Sequence, residues 1–162
     1  PQMAHLWRQL VPRGRGDHRL GLAEALMVHK IDKYPDNFGA HLELGALMLS
    51  RLDTAGAVST LEVAVRLEPN DAVAHNLLGT ALETLGRSSE AIIQFQMALE
   101  KKPDFVNARF NLARALIRAG RLDEAIDDLR KVVAAYPNDE ASKDYLRQAL
   151  AARARQKAAG PQ

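Results

Sequence analysis

Residues 72–105 read AVAHNLLGTALETLGRSSEAIIQFQMALEKKPDF, and residues 106–139 read VNARFNLARALIRAGRLDEAIDDLRKVVAAYPND. Laid one above the other, Leu78 meets Leu112, Gly86 meets Gly120, Ala91 meets Ala125 and Pro103 meets Pro137. The same interval of 34 residues extends upstream to Pro69 and Pro35, to Ala57 and Ala23, and to Leu44 and Leu10. A small or apolar residue at each equivalent place means one structural unit copied in tandem. A period of this length is that of a helix–turn–helix solenoid, in which no unit can bury its apolar face alone.

Within residues 72–105 the elements follow from local chemistry. Asn70-Asp71 supply N-cap oxygens, and a helix is predicted from Ala72 to Leu85. His75, Leu78, Gly79 and Leu82 recur at i, i+3, i+4 and i+7, which defines a buried stripe. Gly86 ends that helix because glycine tolerates positive φ. Ser88 or Ser89 is expected to cap a second helix reaching about Lys101, with Ala91, Phe95, Ala98 and Leu99 facing inward. Pro103 stops it, since proline has no N–H to extend the ladder. Gly79 and Ala91 are expected to let the two helices approach closely, near the ~8 Å end of the usual axial spacing.

Residues 38–71 repeat the scheme with His41, Leu44, Gly45 and Met48, then Ala57, Leu61, Ala64 and Pro69. Residues 106–139 repeat it with Arg109, Leu112, Ala113, Leu116 and Gly120, then Ala125, Leu129, Val132 and Pro137. The pattern Leu-Gly, Gly-Arg, Glu-Ala-Ile, an aromatic, an alanine and Pro-Asn/Asp resembles the tetratricopeptide repeat. The resemblance implies an all-α, right-handed α-solenoid of tandem 34-residue helix–turn–helix repeats with a C-terminal cap helix. Residues 1–162 are then one domain: a degenerate repeat over 4–37, repeats over 38–71, 72–105 and 106–139, a cap helix over 140–157 and a tail over 158–162. In the degenerate copy, Trp7, Leu10 and Val11 keep the register before Pro12-Arg13-Gly14-Arg15-Gly16-Asp17 interrupts it, and a good second helix runs from about Leu20 to Lys33. The cap helix carries Tyr145, Leu146, Ala149 and Leu150 inward.

Composition narrows the function. The chain is 47% apolar and 26% charged, as in ordinary globular proteins. It has no cysteine, so disulfides and thiolate metal sites are excluded. No apolar run approaches the ~18 residues of a membrane span, and the style of the sequence suits a soluble bacterial protein of cytoplasm or periplasm. The three regular repeats hold 14 acidic and 11 basic residues, a balance that speaks against nucleic acid. Arg147, Arg153, Arg155 and Lys157 read as a solvated helix end. No nucleophile elbow or phosphate-cradling loop occurs, so neither catalysis nor a cofactor is expected.

Four motifs invite sharper readings and receive plainer ones. Arg15-Gly16-Asp17 is an adhesion tripeptide but also a common loop composition. Leu10-Val11-Pro12-Arg13-Gly14 resembles a thrombin site, yet Trp7 and Leu10 before it keep the repeat register. His41 and His75 are equivalent and lack metal-ligand spacing, so they read as structural. Asp123, Glu124, Asp127 and Asp128 are flanked by Arg121, Arg130 and Lys131 and suit the first turn of a helix.

The first helix of each repeat has a second stripe, and the family resemblance places such a stripe on the inner wall of the superhelix. It comprises Gly39, Leu42, Ala46 and Leu49, then Val73, Asn76, Thr80 and Glu83, then Asn107, Phe110, Arg114 and Ile117, flanked by Leu77, Asn111 and Arg118. Leu42, Leu49, Leu77, Phe110 and Ile117 are apolar side chains beyond the needs of pair packing, and exposed apolar patches mark contact sites. Asn76, Asn107 and Asn111 offer paired donors and acceptors to a peptide backbone. Arg114 and Arg118, one turn apart, suit a carboxylate. The expected site is therefore Leu42, Leu49, Asn76, Leu77, Thr80, Asn107, Phe110, Asn111, Arg114, Ile117 and Arg118, and the expected ligand a protein or peptide with an acidic group. Family members that grip a C-terminal carboxylate use a set of lysine, asparagine and arginine residues along this wall; Leu42, Ala46, Leu77, Asn107 and Asn111 stand at the matching places here, with amides of the Asn111 type but no lysine, which argues against that specificity. The expected role is a non-catalytic scaffold or adaptor. The alternatives are an accessory segment of a larger enzyme or transport protein, and a module that self-associates into homo-oligomers.

Overall fold

Each proline of the series ends one helical pair and starts the next. The computed structural model describes residues 18–158. The short helix and loop expected over residues 4–17, the two motifs within them, and the tail at 159–162 lie outside the described residues. The helices are α1 (His18–Lys33), α2 (Phe38–Ser50), α3 (Thr54–Leu67), α4 (Ala72–Thr84), α5 (Ser88–Lys101), α6 (Val106–Arg118), α7 (Leu122–Ala135) and α8 (Glu140–Ala158), with no strand among the described residues. Glu68, Lys102 and Tyr136, each just before a proline, close α3, α5 and α7 with φ of −129, −138 and −128° and ψ near 80°. That extended geometry is what the proline ring imposes on the residue ahead of it.

The turn inside each pair is equally regular. Asp53, Arg87 and Arg121 donate their backbone N–H to the carbonyls of Met48, Leu82 and Leu116, all at 2.9 Å. This closure requires a left-handed residue just before the donor. Gly86 and Gly120 supply it at φ 77 and 74°, but the first regular repeat uses Leu52 at φ 64°. Asn37, Asp53, Asp71 and Asp139 cap α2, α3, α4 and α8 by accepting backbone N–H bonds. The expected serine cap of α5 is not used: the helix begins at Ser88, and its N-cap is Arg87. Arg87 and Arg121 instead donate two bonds each to Glu90 and Glu124 in the first turn, at 2.6 and 2.7 Å.

The small residues of the first helices make room for particular side chains. A methyl on Gly79 would sit 2.7 Å from the Phe95 ring, and one on Gly45 would sit 2.5 Å from Leu61 Cγ. The room left by Gly45 and Gly79 thus holds a large side chain of the second helix, a tighter fit than helix proximity alone. Ala113 and Leu129 stand at the same two places in the third copy, and both are fully buried. Leu61 and Phe95 join a continuous core with Leu78, Leu82, Leu112 and Leu116, while Ala113 and Leu129 belong to a C-terminal cluster. The C-terminal end is closed by α8, whose Ala149 is buried with Ile126 and Leu129 while Tyr145, Leu146 and Leu150 pack around them.

His41, His75 and Arg109 also occupy equivalent places, and each ties its helix to the preceding loop. His41 Nε2 lies 2.8 Å from the Pro35 carbonyl and His75 Nε2 3.0 Å from that of Pro69. Arg109 donates to the Pro103 carbonyl at 2.6 Å. His75 and Arg109 reach across to the second helix as well, meeting Gln94 at 2.8 Å and Asp128 at 3.0 Å. Their role is structural: each side chain meets one loop carbonyl, and His75 and Arg109 each join it to the second helix as well.

Consecutive helices pack along the array, and α2 touches α4, α4 touches α6 and α6 touches α8. Among the described residues, α3, α5 and α7 do not touch one another. First helices that meet while second helices spread define a curved array with the first helices on the concave side.

Three substitutions test this packing. Leu52 is 82% exposed, so Leu52→Gly removes left-handed strain with little loss of burial, and a gain of about 1 kcal/mol in urea denaturation is expected. Gly79→Ala is expected to destabilise by about 1–3 kcal/mol through the Phe95 clash. The same change at Gly21, where the added methyl meets nothing within 4 Å among the described residues, should instead stabilise by several tenths of a kcal/mol.

Candidate functional site

The concave wall is built from three first helices. Leu42 and Leu49 lie on α2, Asn76, Leu77 and Thr80 on α4, and Asn107, Phe110, Asn111, Arg114, Ile117 and Arg118 on α6. The apolar members are not a free patch. Leu42, Leu49 and Leu77 pack half-buried against the main core, Ile117 bridges it to the C-terminal cluster, and Phe110 belongs to that cluster. Neighbouring repeats close over these side chains because first helices touch along the array. The exposed apolar side chain on this wall is Val73, at 43%.

The polar members are linked across repeats. Asn111 Nδ2 donates to Asn76 Oδ1 at 3.1 Å, joining α6 to α4. Thr80 donates its hydroxyl to the Asn76 backbone carbonyl at 2.9 Å, so it serves its own helix. Asn107 is exposed.

Arg114 and Arg118 already face a carboxylate. Glu83 at the end of α4 is 5% exposed, with Arg118 Nη1 3.3 Å from one oxygen and Arg114 Nη2 4.0 Å from the other. The Oε1 atom of Glu83 has no hydrogen-bond partner of good geometry, so the contact is an ion pair without an aligned donor. The Arg114 guanidinium also lies 6.0 Å from the ring centroids of both Phe110 and Tyr145, within cation–π range. Those rings meet edge to face with centroids 5.3 Å apart. Two guanidinium groups share one buried carboxylate, which leaves one positive charge in excess at this end of the wall. The side chain of Arg118 is 56% exposed, so that charge is presented to solvent.

Glu83 and Tyr145 are the members of this cluster that the expected site lacks. Glu83 was legible as a member of the inner stripe, but its pairing depends on two repeats lying side by side. Tyr145 stands one repeat after Asn111 and could have been found by extending the stripe into the cap helix.

Other candidate chemistry resolves into ion pairs. Asp128 meets Arg109, Glu124 meets Arg121, Asp127 meets Arg130 at 3.6 Å and Asp123 meets Arg153 at 3.0 Å. Among the described residues no group of three His, Asp or Glu side chains is placed to hold a metal ion, and no helix is long and apolar enough to cross a membrane.

Two overlapping matches to the tetratricopeptide-repeat family model, at residues 42–104 and 76–140, cover more than half of the sequence. The chain belongs to the tetratricopeptide-repeat family. No curated protein matches this tetratricopeptide-repeat chain significantly. Its fold is similar to a crystal structure of MamA, at a TM-score of 0.80 and 19% identity over 94% of this chain and 84% of that one. It is also similar to YrrB, described as having an unusual peptide-binding site, at a TM-score of 0.76 and 21% identity over 94% and 75% of the two chains. A third similar structure is the first repeat domain of Spaghetti (RPAP3) bound to the HSP90 peptide SRMEEVD, at a TM-score of 0.70 and 19% identity over 72% of this chain and 93% of that one. At these identities the likeness carries the tetratricopeptide fold. Proteins of this family are generally non-catalytic interaction scaffolds.

The link between Asn76 and Asn111 is testable by a double-mutant cycle. Asn76→Ala and Asn111→Ala should couple by about 0.5–1.5 kcal/mol in chemical denaturation.

Proposed function

We propose that this chain is a non-catalytic scaffold that binds a protein or peptide segment along its concave wall. The observation that carries the reading is the arginine pair at the C-terminal end of that wall. Arg114 and Arg118 share a single buried carboxylate, and the second arginine is more than half exposed. Buried Glu83 and the Phe110 and Tyr145 rings hold Arg114 in a fixed place, which lowers the ordering cost of binding. An acidic group of the ligand would complete the charge balance there. Towards the N-terminus the wall offers the amides of Asn76 and Asn107 for a peptide backbone, with Val73 and the edges of Leu42, Leu49 and Leu77 for apolar side chains. The absence of lysines along the wall separates this specificity from that of carboxylate-clamp relatives, so an internal acidic side chain is the favoured partner group. The peptide-bound neighbour and the neighbour with a peptide-binding site support a peptide as the ligand class.

The test is a titration of peptides selected from a random library on the wild-type protein. Arg114→Glu should weaken the acidic binders by at least about tenfold, equivalent to about 1.4 kcal/mol, while leaving the thermal melt cooperative. Unchanged affinity for acidic peptides would remove the arginine pair from the site.

A further inference from the structure

The three regular repeats differ at two neighbouring packing positions, and beside them in the third copy lies a cavity. In the second copy Phe105 packs half-buried against Ala72, Ala98 and Ala108. In the first copy an aromatic ring is also present, because Phe38 stands half-buried at the place equivalent to Ala72. The third copy has neither. Val106 replaces the aromatic of the first copy, and Asp139 replaces that of the second. The residues equivalent to the surroundings of Phe105 are Val106, Val132 and Ser142, and they line a cavity of about 490 Å³ between the start of α6, the end of α7 and the start of α8. This volume lies within the ~300–1,000 Å³ of small-molecule sites. The cavity also shares Asn107 and Phe110 with the concave wall.

Its chemistry is mixed in an ordered way. Val106, Val132 and Phe110 supply apolar wall. Ser142 is 1% exposed and donates its hydroxyl to the Asp139 carboxylate, which also accepts the Ser142 backbone N–H at 3.1 Å. A carboxylate at the edge of an apolar cavity complements the positive edge of an aromatic ring, a match that an aliphatic side chain lacks.

From the cavity, its counterpart in the second copy filled by Phe105 and the carboxylate at its edge, we infer that it is an anchor site for an aromatic side chain of a bound peptide. The incoming ring takes the place that Phe105 fills from within the chain in the second copy. The inference rests on the peptide-binding reading of the wall, with which the cavity is continuous. It adds to that reading an aromatic residue on the ligand, seated beside the segment that meets Arg114.

N-acetyl-phenylalaninamide is the probe, followed by NMR of the Val106 and Val132 methyl groups, with N-acetyl-leucinamide as the comparison. The aromatic probe is expected to shift these methyls saturably, at least about threefold more tightly than the leucine probe. Asp139→Phe and Val106→Phe, which place a ring in the cavity, should abolish the shifts, read at the Val132 methyls in the Val106→Phe variant, while the thermal melt stays cooperative. If Asp139→Phe fails to fold through loss of its cap, Val106→Phe decides. Absent shifts, equal response to the leucine probe, or shifts that survive Val106→Phe would overturn the inference. The library-selected peptides separate it from the groove reading. Peptides weakened by Arg114→Glu but unaffected by Val106→Phe would retain the groove and remove the anchor. Peptides weakened by Val106→Phe but unaffected by Arg114→Glu would retain the anchor and remove the arginine site.

Discussion

The structure depends on a size match between the two helices of each pair. A residue with no side chain, or only a methyl, stands on the first helix where a large side chain of the second helix must enter: Gly45 with Leu61, Gly79 with Phe95, Ala113 with Leu129. The large partner is fully buried in each case. Protein interiors pack densely, so added volume at the small position cannot be absorbed without moving a ring or a helix. This fixes the spacing inside a pair. The loop geometry at the prolines and the clasps of His41, His75 and Arg109 then fix the spacing between pairs.

Curvature follows from these two spacings, and the candidate site follows from curvature. Because, among the described residues, first helices touch along the array and α3, α5 and α7 do not, residues from α4, α6 and α8 meet although they are remote in sequence. Glu83 reaches Arg114 and Arg118, Asn76 reaches Asn111, and Tyr145 reaches Phe110. No one repeat contains a complete site. The positive end of the wall is a property of neighbours, with a buried carboxylate that orients two arginines without cancelling both.

Departures from the repeat carry what is particular to this chain. Leu52 does a glycine's work at positive φ, and Arg109 does a histidine's work at a loop carbonyl. Val106 and Asp139 leave unfilled a place that the Phe105 ring fills in the preceding copy. Each departure is visible in an alignment of the chain with itself, but its consequence depends on volume and distance. Phe110, Arg114 and Tyr145 form a cluster for the same reason: the stripe was readable, while its extension onto the cap helix required the packing of α8.

The sequence by itself determined the period, the helix pairs, the turns at Gly86 and Gly120, the buried stripes and the family. All of these arise from interactions within a repeat, where helical periodicity, capping and proline geometry act over a few residues. Tertiary structure decided which wall residues are free. Leu42, Leu49, Leu77, Phe110 and Ile117 read as spare apolar surface, and adjacent repeats half-bury them in core packing. Arg114 and Arg118 read as open to any carboxylate, and Glu83 from the preceding repeat already stands between them. The physical reason is that periodicity reports the direction a side chain takes from its own helix. Exposure and charge balance are set by the next helix along, whose distance is fixed only when the array is packed.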